Sequence, residues 1–312
     1  MLIGHEKLRL FFEQSVANGT LSHAYCFTGP GSVGKRTFAR DLAAELLKVK
    51  ISELENHPDF IYLERTEDAK TGKLKKDIII GQARALRERL GRTAWRGGYQ
   101  VVIINEAELL NTESANALLK LLEEPPKQLV FFLITENEAF LLPTIRSRMQ
   151  MFYFSLVPTK MIANGLVVTG VEKTQAEMVA RLSLGRVGRA KELLQPEVLS
   201  KYEIERLRCD EIMAVPLYKR LTIVETLVND LEEGERGREQ LQTILEQWSL
   251  TVRDRILQQI GVNNYTSVDE SSRTTALPKV LQEQLDRITR LQSLLHQNIN
   301  TRLALEELCL HF

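Results

Sequence analysis

Cysteine is scarce: Cys26, Cys209 and Cys309 are the only three among 312 residues. So few, odd in number and far apart, they argue against a disulfide framework and a multi-cysteine zinc site, and suit a reducing compartment. Net charge is missing as well, because 41 Lys and Arg balance 41 Asp and Glu. A neutral chain has no global attraction for nucleic acid or a membrane surface, so any such contact must be local. No uncharged run approaches the roughly 18 residues that would span a bilayer. The opening residues carry Glu6, Lys7 and Arg9 without a long apolar stretch, so no signal peptide is expected and a cytoplasmic location is. Internal repeats and low-complexity segments are absent too. What remains is ordinary for a globular protein, 44% hydrophobic and 26% charged, at a length that allows two or three domains.

The first half alternates strand and helix signals. Residues 4–17 read as a helix, with Leu8, Phe11, Phe12 and Val16 at helical spacing. Apolar runs at 24–27, 60–63, 101–104, 129–134 and 151–154 read as strands. Val101–Ile104 is apolar at every position, which suits a parallel strand covered on both faces. Helical patterns occupy the stretch up to about Lys48, Gln82–Leu90, and Ser114–Glu124, the last stopped by Pro125-Pro126. Together these imply a doubly wound α/β core over about residues 1–155. Beyond Pro158 only helical periodicity remains: a small unit closes near Gln195-Pro196, and a longer helical region contains a probable loop at 261–278.

One stretch in the core carries chemistry. Thr28-Gly29-Pro30-Gly31-Ser32-Val33-Gly34-Lys35-Arg36-Thr37 lies between the first strand and a helix. Gly29, Gly34 and Lys35 fit G-x-x-x-x-G-K, a loop whose N–H groups wrap around phosphate at a helix N-terminus. Gly31 adds a further small residue. The next position should be Ser or Thr to hold Mg²⁺, and it is Arg36, so the metal ligand is missing or displaced to Thr37. A second Mg²⁺ support, an acidic pair closing a distal strand, is also altered, since Val101–Ile104 ends in Asn105-Glu106. Glu106 is present, but Asn105 brings no negative charge. The loop therefore reads as degenerate, with nucleotide binding weak or vestigial.

Four segments then occur in order: Gly29–Lys35; Asn56-His57-Pro58-Asp59; Asn116-Ala117-Leu118-Leu119-Lys120-Leu121-Leu122-Glu123-Glu124-Pro125-Pro126; and Thr144-Ile145-Arg146-Ser147-Arg148. Together they resemble the AAA+ clamp-loader subunits of bacterial replication. Asn298–Glu306 resembles the closing helix of that family's oligomerisation domain. The resemblance implies an AAA+ core at 1–156, a helical lid at 157–198 and an all-helical collar at 199–312, ending in a helix at Leu303–Phe312. It also implies a role for Ser147-Arg148-Met149, which matches the family's Ser-Arg-Cys segment: Arg148 as an arginine finger reaching a neighbour's ATP site, with Arg146 structural. A surface arginine capping a strand is the plainer alternative.

Other positions refine what the resemblance implies. In the family's motor subunits a lid segment Gly-x-x-Arg-x-Ala carries a sensor arginine; here Gly188 holds that place, flanked by Arg186 and Arg189. Many relatives bind zinc through four cysteines where residues 48–55 have none, so no zinc is expected, and His57 reads as a turn residue. Between Arg65 and Arg96 ten basic residues face four acidic ones. Arg84, Arg87 and Arg92 in this stretch are candidates for DNA phosphate contact; a solvated charged face is the alternative, and Trp95 anchors the loop. The implied function is a non-motor subunit of the replicative clamp loader, part of a nucleotidyltransferase holoenzyme, with no cofactor of its own required. Its implied partners are gamma/tau-type motor subunits, a delta-type subunit, the sliding clamp indirectly and primed DNA. The alternative is an ATP-hydrolysing motor subunit in which Thr37 and Glu106 suffice.

Overall fold

A computed structural model describes residues 2–65, 98–232, 234–260, 278–295 and 299–312. The expected helix at 82–90 and the basic residues from Lys70 to Arg96 lie outside the described residues. Among the described residues five strands, β1 (Ala24–Thr28), β2 (Phe60–Leu63), β3 (Gln100–Ile104), β4 (Leu129–Thr135) and β5 (Gln150–Tyr153), form one sheet in the order β2-β3-β4-β1-β5. Every neighbouring pair is parallel.

Alternation along each strand explains the continuous apolar runs. Ala24, Cys26, Val102, Ile104, Phe131 and Leu133 face one side. There they meet Ala115, Leu118, Leu121 and Leu122 of α3 (Thr112–Glu123). Tyr25, Phe27, Val101, Ile103, Val130 and Phe132 face the other, towards α1 (Glu6–Ala17) and α2 (Lys35–Leu47). With both faces covered, the strands β1 to β4 need no polar side, whereas β5 at the edge of the sheet leaves Gln150 and Tyr153 exposed. The centre of the second layer is Phe12, whose ring lies 4.9 Å from Tyr25 and 5.7 Å from Phe38, edge-on to both. Phe11, expected on the same face, is 42% exposed and turns to Phe152. Adjacent helical residues diverge by about 100°, so both cannot point into one core.

Helix α3 starts where its cap dictates. The Asn111 side chain accepts a 2.8 Å hydrogen bond from the Ser114 N–H, meeting one of the orphan donors of the first turn. The helix ends at Glu123, two residues before the Pro pair. A four-residue turn of helix, α4 (Pro143–Arg146), leads to β5 and is followed in sequence by α5 (Thr159–Val168), α6 (Lys173–Leu182) and α7 (Val187–Glu192).

The chain divides into compact units at Met1–Ala190 and Lys191–Phe312. The second contains α8 (Pro196–Ala214), α9 (Leu217–Asp230), α10 (Glu235–Gln259), α11 (Pro278–Leu294) and α12 (Thr301–Leu310). Its core gathers fully buried Trp248 with Cys209, Leu241, Leu245, Ile288 and Leu305. The last helix begins at Thr301, ahead of the expected Leu303, because the Asn300 side chain accepts from the Arg302 and Leu303 N–H groups. All three cysteines are buried free thiols. Burial pushes Cys26 and Cys309 up to about 12, so neither is a nucleophile at neutral pH.

Candidate functional site

The loop between β1 and α2 has the backbone of a phosphate cradle. Gly29 adopts φ +139°, and a Cβ there would lie 2.1 Å from the Phe154 carbonyl oxygen, so no other residue fits. Gly34, at φ +108°, turns the chain into α2, which points its first free N–H groups back at the loop.

The groups that would receive a nucleotide are nevertheless engaged by the chain itself. Lys35 is buried, and its ammonium donates to the carbonyls of Gly29 and Pro30, the latter at 2.7 Å. Desolvation lowers its pKa, and the carboxylates of Glu136 and Glu108 oppose that shift. Hydrogen bonds from a charged donor contribute about 1.5–3 kcal/mol each, which a phosphate must replace before Lys35 turns to it. Glu136, one residue beyond β4, rests on the loop: a Cβ on Gly31 would meet its Oε1 at 2.5 Å. The N–H of Gly188 donates to the Ser32 carbonyl at 2.7 Å, and a Cβ at 188 would touch Ser32 at 3.0–3.3 Å. His5 sits on Phe154 with ring centroids 4.6 Å apart, and its Nε2 is 3.1 Å from the Val33 carbonyl oxygen.

The two positions for Mg²⁺ support do not fit the metal. Arg36 stands 4.9 Å over the Tyr62 ring and 3.8 Å from Glu64, so a cation occupies the place of the expected hydroxyl. Thr37 is half-buried one residue further along α2. Glu106, at φ +53° just after β3, is held by both Nε and Nη2 of Arg65 at 2.9 and 3.0 Å. A carboxylate gripped in this two-pronged way is not poised to polarise water. Asn105 closes β3 without a charge. Among the described residues no three His, Cys, Asp or Glu side chains are grouped to hold a metal. His57 accepts from the Asp59 N–H at 3.2 Å within the turn that starts β2.

Arg148 lies elsewhere. It sits in the turn between α4 and β5, and β5 pairs from its first residue, Gln150, with Tyr25 near the start of β1. Arg148 is therefore at the edge of the sheet where the parallel strands begin, and the loop at the edge where they end. A five-residue strand at roughly 3.3 Å per residue separates the two edges by about 15 Å, more than an arginine side chain spans. Its Nη1 donates to the Thr144 carbonyl at 2.9 Å and to Ser147 Oγ at 3.2 Å, and its Nη2 to Glu123 Oε1 at 2.7 Å. The Arg148 side chain remains 36% exposed. Met149 beside it is buried in the α3-side core, and Arg146 is exposed, so Arg148 is the better anchored of the two arginines.

Several of these partners escaped the sequence reading. Arg65 was grouped with a basic stretch by proximity alone, and its ion pair depends on β2 lying beside β3. Glu136 follows directly from register: Thr28 pairs with Thr135, so the residue just after β4 reaches the loop after β1. Glu123 lies 25 residues before its partner and needs the fold to be known. Arg84, Arg87 and Arg92, the candidate DNA contacts, lie outside the described residues, as does Trp95.

A phosphate-loop strand and helix, the parallel order β2-β3-β4-β1-β5 and a succession of short helices agree with the AAA+ core that the sequence resembles, here with Lys35 and Glu106 engaged by groups of the chain itself. Residues 4–158 match the model of the family described as DNA polymerase III, delta subunit. The delta-prime subunit of DNA polymerase III from Pseudomonas aeruginosa is 39% identical over 141 residues, a match covering 41% of this chain and 41% of that protein. The gamma/tau subunit from Mycobacterium tuberculosis is 31% identical over 172 residues, covering 51% of this chain and 29% of its own length. The chain thus spans well under half of these two relatives. The delta-prime subunit from Bacillus subtilis is 28% identical over 320 residues, with 95% of this chain and 92% of that protein covered.

Proposed function

We propose that this chain is a non-motor subunit of a bacterial clamp loader, acting in DNA replication by donating Arg148 to the ATP site of an adjacent motor subunit. The observation that carries the reading is the opposition of the two sites. The chain's own loop is closed on itself at one sheet edge, and an exposed, anchored arginine stands at the other, beyond reach of that loop. A guanidinium offered in this way stabilises the charge that develops on a transferring phosphoryl group. In this role the chain needs no bound nucleotide, Mg²⁺ or zinc of its own. Its partners are gamma/tau-type motor subunits and a delta-type subunit, with the sliding clamp engaged indirectly and primed DNA held in the assembled complex in the cytoplasm.

The competing reading is a self-sufficient motor, and the likeness to a gamma/tau subunit is what favours it. Against it stand Arg36 at the metal position and Glu106 bound by Arg65. Reconstitution with motor subunits separates the two. At the site it serves, Arg148→Ala is expected to slow hydrolysis by about 10³–10⁵-fold, the range for a donated finger, with the complex still assembled on gel filtration. Unchanged hydrolysis in an intact complex would remove the finger. Turnover of about 1–100 s⁻¹ by the isolated chain would favour the motor.

A further inference from the structure

Glu123 ends α3 with a negative charge at the end of a helix whose dipole is itself negative, an arrangement that is unfavourable unless a cation answers it. Arg148 answers it, at 2.7 Å. The backbone that carries the carboxylate is anchored. Leu122 beside it is buried, and the Leu122 carbonyl oxygen lies 3.0 Å from His23 Nε2 at the start of β1. Pro125-Pro126 then prevents the helix from continuing. Glu123 thus presents its exposed carboxylate from a backbone held against the core, while Thr144 and Ser147 supply acceptors from the turn that carries the arginine.

We infer that Glu123 is the positioning residue for Arg148, holding the guanidinium at the sheet edge in the orientation in which it meets a neighbour's phosphate. The inference rests on the finger reading given above. An arginine has five N–H donors. Both on Nη1 and one on Nη2 are used within the chain, which leaves Nε–H and the second Nη2–H for a neighbour. A guanidinium held at three points has lost its rotamer freedom before the neighbour arrives, so that ordering is not charged to the transition state. Removing Glu123 returns that freedom, and the expected loss is about two- to tenfold in rate, far smaller than deleting the finger.

The test uses the complex assembled with motor subunits, comparing wild type, Glu123→Ala, Glu123→Gln, Arg148→Ala and the double variant. Glu123→Ala is expected to lower kcat by about two- to tenfold with KM for ATP unchanged. Glu123→Gln, which keeps an oxygen to accept from Nη2, is expected to recover part of the loss. In the Arg148→Ala background Glu123→Ala should add nothing. A full loss with Arg148→Ala but wild-type rates with Glu123→Ala overturns the positioning role and leaves the finger intact. Wild-type rates with Arg148→Ala overturn the finger, and the positioning role with it. An equal loss from Glu123→Ala in both backgrounds marks a merely structural bridge, and a faster rate marks a restraining clamp; either overturns the proposal.

Discussion

His5 shows how a single side chain in this fold reports on the closed loop. It is partly buried against Phe154 and Val33, and desolvation lowers its pKa below the ordinary 6.5. The folded state therefore favours the neutral ring, and the unfolded chain binds the extra proton. The contribution of His5 to stability is complete above pH 6.5 and is lost as pH falls towards its folded pKa. Urea unfolding of wild type and His5→Asn should show a stability difference at pH 7.5 that narrows by pH 5.5; a constant difference would mean that the ring's protonation is not coupled to folding. Nothing in the sequence pointed to His5, because its partners lie 28 and 149 positions away. Arg36, by contrast, was legible as a misfit from its place in the loop motif. Its destination, the Tyr62 ring, was not, since that depends on β2 lying within reach of the start of α2.

Elements were easier to read than single contacts. The strands fell within a residue or two of their apolar runs, for β1 to β4 because burial on both faces leaves few polar residues to blur the pattern; β5, at the sheet edge, is half-exposed. The helix at 112–123 was legible from its periodicity and its terminating prolines; its start lies two residues earlier than expected, where Asn111 caps it, and its end one residue earlier, at Glu123. Helix α1 shows the limit of periodicity. Phe11 and Phe12 are neighbours in sequence, and spacing alone does not say which one is buried. The aromatic cluster decides it, with Phe12 1% and Phe11 42% exposed. Phe12→Ala should cost about 3–5 kcal/mol, as for a fully buried phenylalanine, and Phe11→Ala much less. Chemical denaturation of the two variants under one set of conditions measures the contrast, and equal losses would place both rings in the core.

At the scale of the molecule, a loop that looks one residue short of an ATPase is tied down at several independent points. Restoring the missing hydroxyl with Arg36→Thr corrects only one of them. Glu106 remains gripped by Arg65, Lys35 remains on the Gly29 and Pro30 carbonyls, and Gly188 still bonds Ser32. Each restraint belongs to a different element, so relieving one does not release the others. Arg36→Thr in the isolated chain is therefore expected to show no Mg²⁺-dependent hydrolysis, well below the roughly 1 s⁻¹ at the bottom of the usual phosphoryl-transfer range. Because Arg148 stands at the far edge of the sheet, the same substitution should leave the reconstituted complex at its wild-type rate. Hydrolysis assays on the isolated chain and on the complex read the two outcomes separately. Turnover gained by the isolated variant would mean that the hydroxyl alone had been missing, whereas a slower complex would mean that the loop contributes to the working assembly after all.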